Sequence, residues 1–101
     1  MRLAVLYLLA FAPVAALADE ISGDWCSDAG AHVRIEGHSI TTPGGQVTNG
    51  LYGRHSFDFV IPEGEADAGL AVQMRQVSEA QVIVTFEGRE PEDWHRCQVV
   101  S

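Results

Sequence analysis

The chain has only two cysteines, Cys26 and Cys97, and they stand near the two ends of its foldable part. An even cysteine count in a small exported protein reads as a disulfide framework. A bridge here would enclose almost the whole domain, and the chain-entropy model gives about 4 kcal/mol for a loop of that size. A domain this short buries only about 60% of its unfolded surface. The bridge is therefore expected to supply much of a net stability of about 5–15 kcal/mol. The competing reading is a metal site built from Cys26, Cys97, His95 and His32. An oxidising compartment argues against it, as does the lack of any Cys-x-x-Cys or His-x-x-x-His pair. No metal or other cofactor is expected.

The case for export lies at the N-terminus. Met1-Arg2 is followed by an uncharged apolar run from Leu3 to Phe11, then Pro13, then Ala16-Leu17-Ala18. These are the parts of a secretory signal peptide covering residues 1–18. A membrane anchor needs about 20 apolar residues, and Pro13 and Asp19-Glu20 interrupt the stretch too early. Residues 19–101 are then a single small domain, expected in the periplasm or secreted, with no membrane insertion after cleavage.

Charge restricts the partners. The whole chain has a formal net charge of −8, and the leader carries one of its basic residues and none of its acids. Such a surface repels phosphate backbones, which speaks against nucleic acid. It favours a basic protein partner, because opposite fields speed encounter, and it also serves plain solubility.

Alternation dominates the mature region, with Gly or Pro punctuating it at the spacing of an all-β fold. Expected strands are 21–27, 31–36, 38–42, 51–61, 70–77, 81–87 and 94–99. Their inward set at period two is Trp25, Val33, Ile35, Ile40, Phe57, Phe59, Ile61, Leu70, Val72, Met74, Val82, Val84 and Phe86. Asp58, Gln73, Arg75 and Thr85 are expected to face water. Glu36-Gly37-His38 and Val77-Ser78-Glu79-Ala80 read as hairpins, and Thr42-Pro43-Gly44-Gly45 as a turn. Gly44 to Asn49 is expected to be a mobile loop, residues 62–69 an acidic loop, and residues 88–93 a third. Short connections between neighbours imply an antiparallel meander.

A meander leaves two edges to be covered. The first and last strands carry the cysteines, so bridging them would close the sheet into a small barrel; a two-sheet sandwich is the alternative. With Cys26 opposite Cys97, Trp25 and Arg96 would lie diagonally on the other face, within reach of a cation–π contact. Gly23-Asp24-Trp25 on the first strand and Arg96 on the last resemble the calycin superfamily of lipocalins and avidins. That resemblance implies a meander barrel with the arginine over the tryptophan, and a small apolar ligand. Trp25, Tyr52, Phe57 and Met74 would then line a pocket mouth. Short strands and four inward aromatics predict instead an interior filled by side chains.

Catalytic signals are weak. His32, His38, His55 and His95 form no compact metal spacing. His38-Ser39 and His55-Ser56 are adjacent strand residues that point to opposite faces, so neither pair is a nucleophile and base. There is no Gly-x-Ser-x-Gly elbow and no phosphate-cradling glycine loop. Glu63, Glu65 and Asp67 lack calcium-loop spacing. The expectation is a non-catalytic binding protein that acts through loops on a partner protein, in the manner of an inhibitor. Gly44, Gly45, Asn49, Glu63, Glu65 and Asp67 are its candidate contact residues. A carrier of small apolar ligands and a ligand-free envelope protein are the alternatives.

Overall fold

The computed structural model describes residues 20–98. The expected leader and Val99 of the last expected strand lie outside them. The described chain is all-β and forms a nearly closed antiparallel barrel. Its strands are β1 (Gly23–Cys26), β2 (His32–Glu36), β3 (Ser39–Thr41), β4 (Val47–Asn49), β5 (Leu51–Gly53), β6 (Ser56–Val60), β7 (Ala71–Ser78), β8 (Gln81–Phe86) and β9 (Glu92–Arg96). The wall runs β4-β3-β2-β1-β9-β8-β7-β6-β5, so every ladder joins sequence neighbours except β1 with β9.

Two expectations fail in the middle of the chain, for related reasons. Gly44 to Asn49 is not all loop, because Val47–Asn49 pairs with β3. The stretch 51–61 is not one strand, because it folds back at Arg54-His55 as a hairpin with Gly53 opposite Ser56. Nothing in Arg54-His55 signals a turn. The turn is held from outside instead: Arg54 O accepts from Ile21 N at 2.8 Å and His55 O accepts from Gln76 N at 2.8 Å.

β4 and β5 are two halves of one stave. Gly50 N still donates to His38 O at 2.8 Å, extending the β3–β4 ladder, while Leu51 already pairs with Asp58 on β6. The strand therefore changes partner at Gly50 and carries the wall around from β3 to β6. A Cβ at Gly50 would lie 2.5 Å from the Asp58 carbonyl oxygen and 2.6 Å from the Phe57 ring. Only glycine lets the backbones approach this closely.

The bridge between Cys26 and Cys97 joins β1 to the end of β9, with a Cα–Cα distance of 5.0 Å. Its register differs from the expected one. Trp25 lies directly opposite Arg96 and Cys26 opposite His95, so it is the cysteines that are diagonal. The Arg96 guanidinium lies 4.0 Å from the centre of the Trp25 ring. Its nitrogens donate to the carbonyls of Ser22 and Glu20 at 2.6 Å and of Glu79 at 2.8 Å. Burial lowers the Arg96 pKa, with Asp24, Glu20 and Glu79 pulling it back up. Gly23 has φ +121, and a Cβ there would lie 2.6 Å from Arg96 Nη1. The glycine thus gives the arginine its seat, which is a physical reason for Gly-x-Trp and arginine to occur together.

The core contains the expected alternating set, with four changes. Ile21 and Trp94 are also buried, whereas Leu70 and Phe86 are only partly so. Ile21 and Trp25 are fully buried, and Trp25 Nε1 donates to Ile21 O at 2.8 Å. With Arg96 they stopper one end of the barrel. That base also holds the β2–β3, β5–β6 and β7–β8 turns. The β1–β2, β3–β4, β6–β7 and β8–β9 connections gather at the opposite end.

Candidate functional site

The interior is not completely filled at that opposite end. A cavity of about 260 Å³ opens among Ala31, Val33, Thr42, Pro43, Phe59, Ile61, Glu65, Ala66, Asp67, Val72, Met74, Val84, Phe86 and Trp94. This corrects the expectation of an interior filled by side chains. The aromatics concentrate elsewhere than expected. Trp25 and Phe57 are fully buried, and neither they nor Tyr52 line the cavity; of the four expected mouth residues only Met74 does.

The local sequence explains the shape. Alternation on β2, β7 and β8 sends Val33, Val72, Met74 and Val84 inward, and Phe59 follows from β6. Trp94 and Phe86 line the cavity as well, Trp94 donating from its indole Nε1 to Glu92 at 3.0 Å. Arg89 lies over the Phe86 ring at 5.7 Å.

The acidic connection 62–69 crosses this mouth and is fastened on two sides. On one side Glu65 accepts from Gly44 N at 3.0 Å and from Gln46 Nε2 at 3.2 Å. Gln46 Nε2 also donates to the Glu63 carbonyl at 2.9 Å. On the other side Asp67 takes both terminal nitrogens of Arg89, at 2.7 and 3.1 Å. Those hydrogen bonds, reinforced by the arginine's charge, hold the Asp67 carboxyl below its ordinary range. Asp67 has φ 65, a left-handed conformation that aspartate tolerates better than most residues.

The six candidate contact residues therefore divide. Gly44, Glu63 and Glu65 come together through Gln46, and Asp67 joins them on the same connection. Gly45 takes φ +93 in the turn beside them. Asn49 lies apart, lining an open hollow of about 520 Å³ on the wall with Gly50, Leu51, Val60 and Gln73. Glu63, Glu65 and Asp67 do not converge as metal ligands among the described residues. Cys26, His32 and Cys97 do lie within 4.8 Å of one another, but the two sulfurs are bonded to each other. His32 Nε2 lies 2.8 Å from Asp24 Oδ1, and its hydrogen bond is the main influence lowering the Asp24 pKa.

Sequence reasoning missed Gln46, Arg89 and Trp94. Trp94 was accessible, since an inward Arg96 on the same strand puts Trp94 inward at period two. Gln46 and Arg89 act through contacts with a distant loop and carry no local signal. Comparison with known proteins adds no further constraint: no family model, no curated protein and no solved structure matches the chain. Among the described residues no helix is long and apolar enough to cross a membrane. The disulfide is compatible with an extracellular or periplasmic protein.

Proposed function

We propose that the protein is a non-catalytic binder of small apolar molecules, which it takes into the end of the barrel. The observation that carries this reading is the 260 Å³ cavity, with its almost wholly apolar lining. An apolar cavity of about 150 Å³ stays dry and accepts benzene, so this one suits a ligand somewhat larger than a single ring. Concave, apolar sites with a few placed polar groups are the usual form of small-molecule sites. Thr42 and Glu65 are such groups here.

The test is a titration of the mature protein with small aromatic probes, followed by the Trp94 indole resonance or by calorimetry. Saturable binding at one site, weakened several-fold by a cavity-filling Val84→Phe exchange, is the expected result. No saturation by any probe of one or two rings would rule the reading out.

A second reading keeps the loops as a contact surface for a partner protein. Its support is that the turn 42–46 and the acidic connection are joined by the Glu65 and Gln46 hydrogen bonds into one preset ridge. The net charge of −8 would favour a basic partner. A salt-sensitive complex with a basic protein, lost on exchanging Glu63, would favour this reading over the first.

A further inference from the structure

The cavity has one charged wall, Glu65, that forms no ion pair among the described residues. Glu65 lines it and is half-buried, while its neighbours Glu63 and Gly64 are exposed. Both of its oxygens are held by neutral donors, Gly44 N at 3.0 Å and Gln46 Nε2 at 3.2 Å. Among the described residues, no arginine or histidine forms an ion pair with it. The arginine at this mouth, Arg89, is taken by Asp67.

This carboxylate is seated by construction. A Cβ on Gly44 would press on the Glu65 carboxylate, so the glycine lets that carboxylate lie directly against the turn. A Cβ on Gly64 would likewise lie 2.6 Å from the Gln46 amide nitrogen that helps to hold it. Two glycines and a glutamine thus fix a negative charge at the edge of an apolar hollow. A carboxylate has about four lone-pair sites, and two protein donors leave the rest open.

We infer that the ligand is a small organic ammonium ion, an amine on an apolar body, and this rests on the cavity reading above. The apolar part would enter against Phe59, Met74 and Val84, and the ammonium would remain at the mouth and donate to Glu65. The acidic surface as a whole would draw such a ligand in and repel its anionic counterpart.

The experiment compares three probes of one shape on the mature protein: 2-phenylethylamine, 2-phenylethanol and phenylacetate. The amine should bind about five- to tenfold more tightly than the alcohol, as expected for one partly exposed charge-assisted contact, and phenylacetate should bind most weakly. High salt should shrink the amine's advantage. Glu65→Gln should abolish that advantage, so that amine and alcohol bind the variant alike; Glu65→Ala should do the same if glutamine disturbs the seat. Equal binding of alcohol and amine would overturn the inference while leaving the cavity reading intact, as would an amine preference that survives both exchanges. Failure of all three probes to bind would overturn both.

Discussion

Gly50 and Gly23 are small residues with large structural duties. Gly50→Ala would place a methyl group against the Asp58 backbone and the Phe57 ring, at the point where one strand turns the corner between β3 and β6. Overpacking of this kind costs about 1–3 kcal/mol, so urea unfolding should show a lowered midpoint with an unchanged slope. Gly23→Ala should cost at least as much, because it meets both an unfavourable φ and the Arg96 guanidinium. Arg96→Lys preserves the charge but loses the planar fork that serves three carbonyls while lying over the Trp25 ring. Its destabilisation should be about 2 kcal/mol, from the lost stacking and charged hydrogen bonds, with a change in the near-ultraviolet signal of Trp25.

The element most open to experiment is the connection 62–69. Asp67 is ionised at neutral pH and its folded pKa is depressed by Arg89. A depressed carboxyl contributes to the folded form above its unfolded pKa and loses that contribution as pH falls through the folded value. The Asp67–Arg89 fastening should therefore hold at mildly acidic pH and release only below the ordinary aspartate range. Asp67→Asn should release it at all pH values. Hydrogen exchange at Gly69 N and Leu70 N, which donate to Ile61 O and Asp67 O, would check both outcomes; unchanged exchange in Asp67→Asn would show that the ion pair does not hold the loop.

Elements also differ in how readily the sequence declares them. β2, β6, β7 and β8 alternate cleanly, so their inward faces can be read from Val33-x-Ile35, Phe57-x-Phe59, Val72-x-Met74 and Val82-x-Val84. Strand β4 cannot be read this way, because Val47-Thr48-Asn49 carries no buried residue and owes its form to β3 alone. The Arg54-His55 turn is equally silent, being fixed by Ile21 and Gln76. The same applies to the mouth: its acids were visible, but the partners that organise them, Gln46 and Arg89, come from other connections.

At the scale of the whole molecule the disulfide acts across the one ladder that joins the chain's first and last strands. Cys26→Ser with Cys97→Ser removes a closure worth about 4 kcal/mol in the chain-entropy model. Among the described residues the β1–β9 ladder pairs two positions, Trp25 with Arg96 and Cys26 with His95, and is extended by Cys97 N donating to Asp24 O at 3.2 Å. The double variant should therefore lose a large part of its unfolding free energy, and β1 and β9 should show the earliest loss of amide protection on warming. A melting temperature equal to that of the native protein would show the hydrogen-bonded wall to be self-sufficient.

Both described extremities, Glu20 and Gln98, emerge beside the stoppered base, because the first strand sets out from that pole and the last one returns to it. All four long connections stand at the far pole. Any tether, dye or fused domain joined at either extremity would hang beneath the vessel and leave its opening turned towards the surrounding medium. On the cavity reading, immobilisation through either extremity should accordingly preserve binding of the aromatic probes, whereas a bulky label on Ala66 should block it.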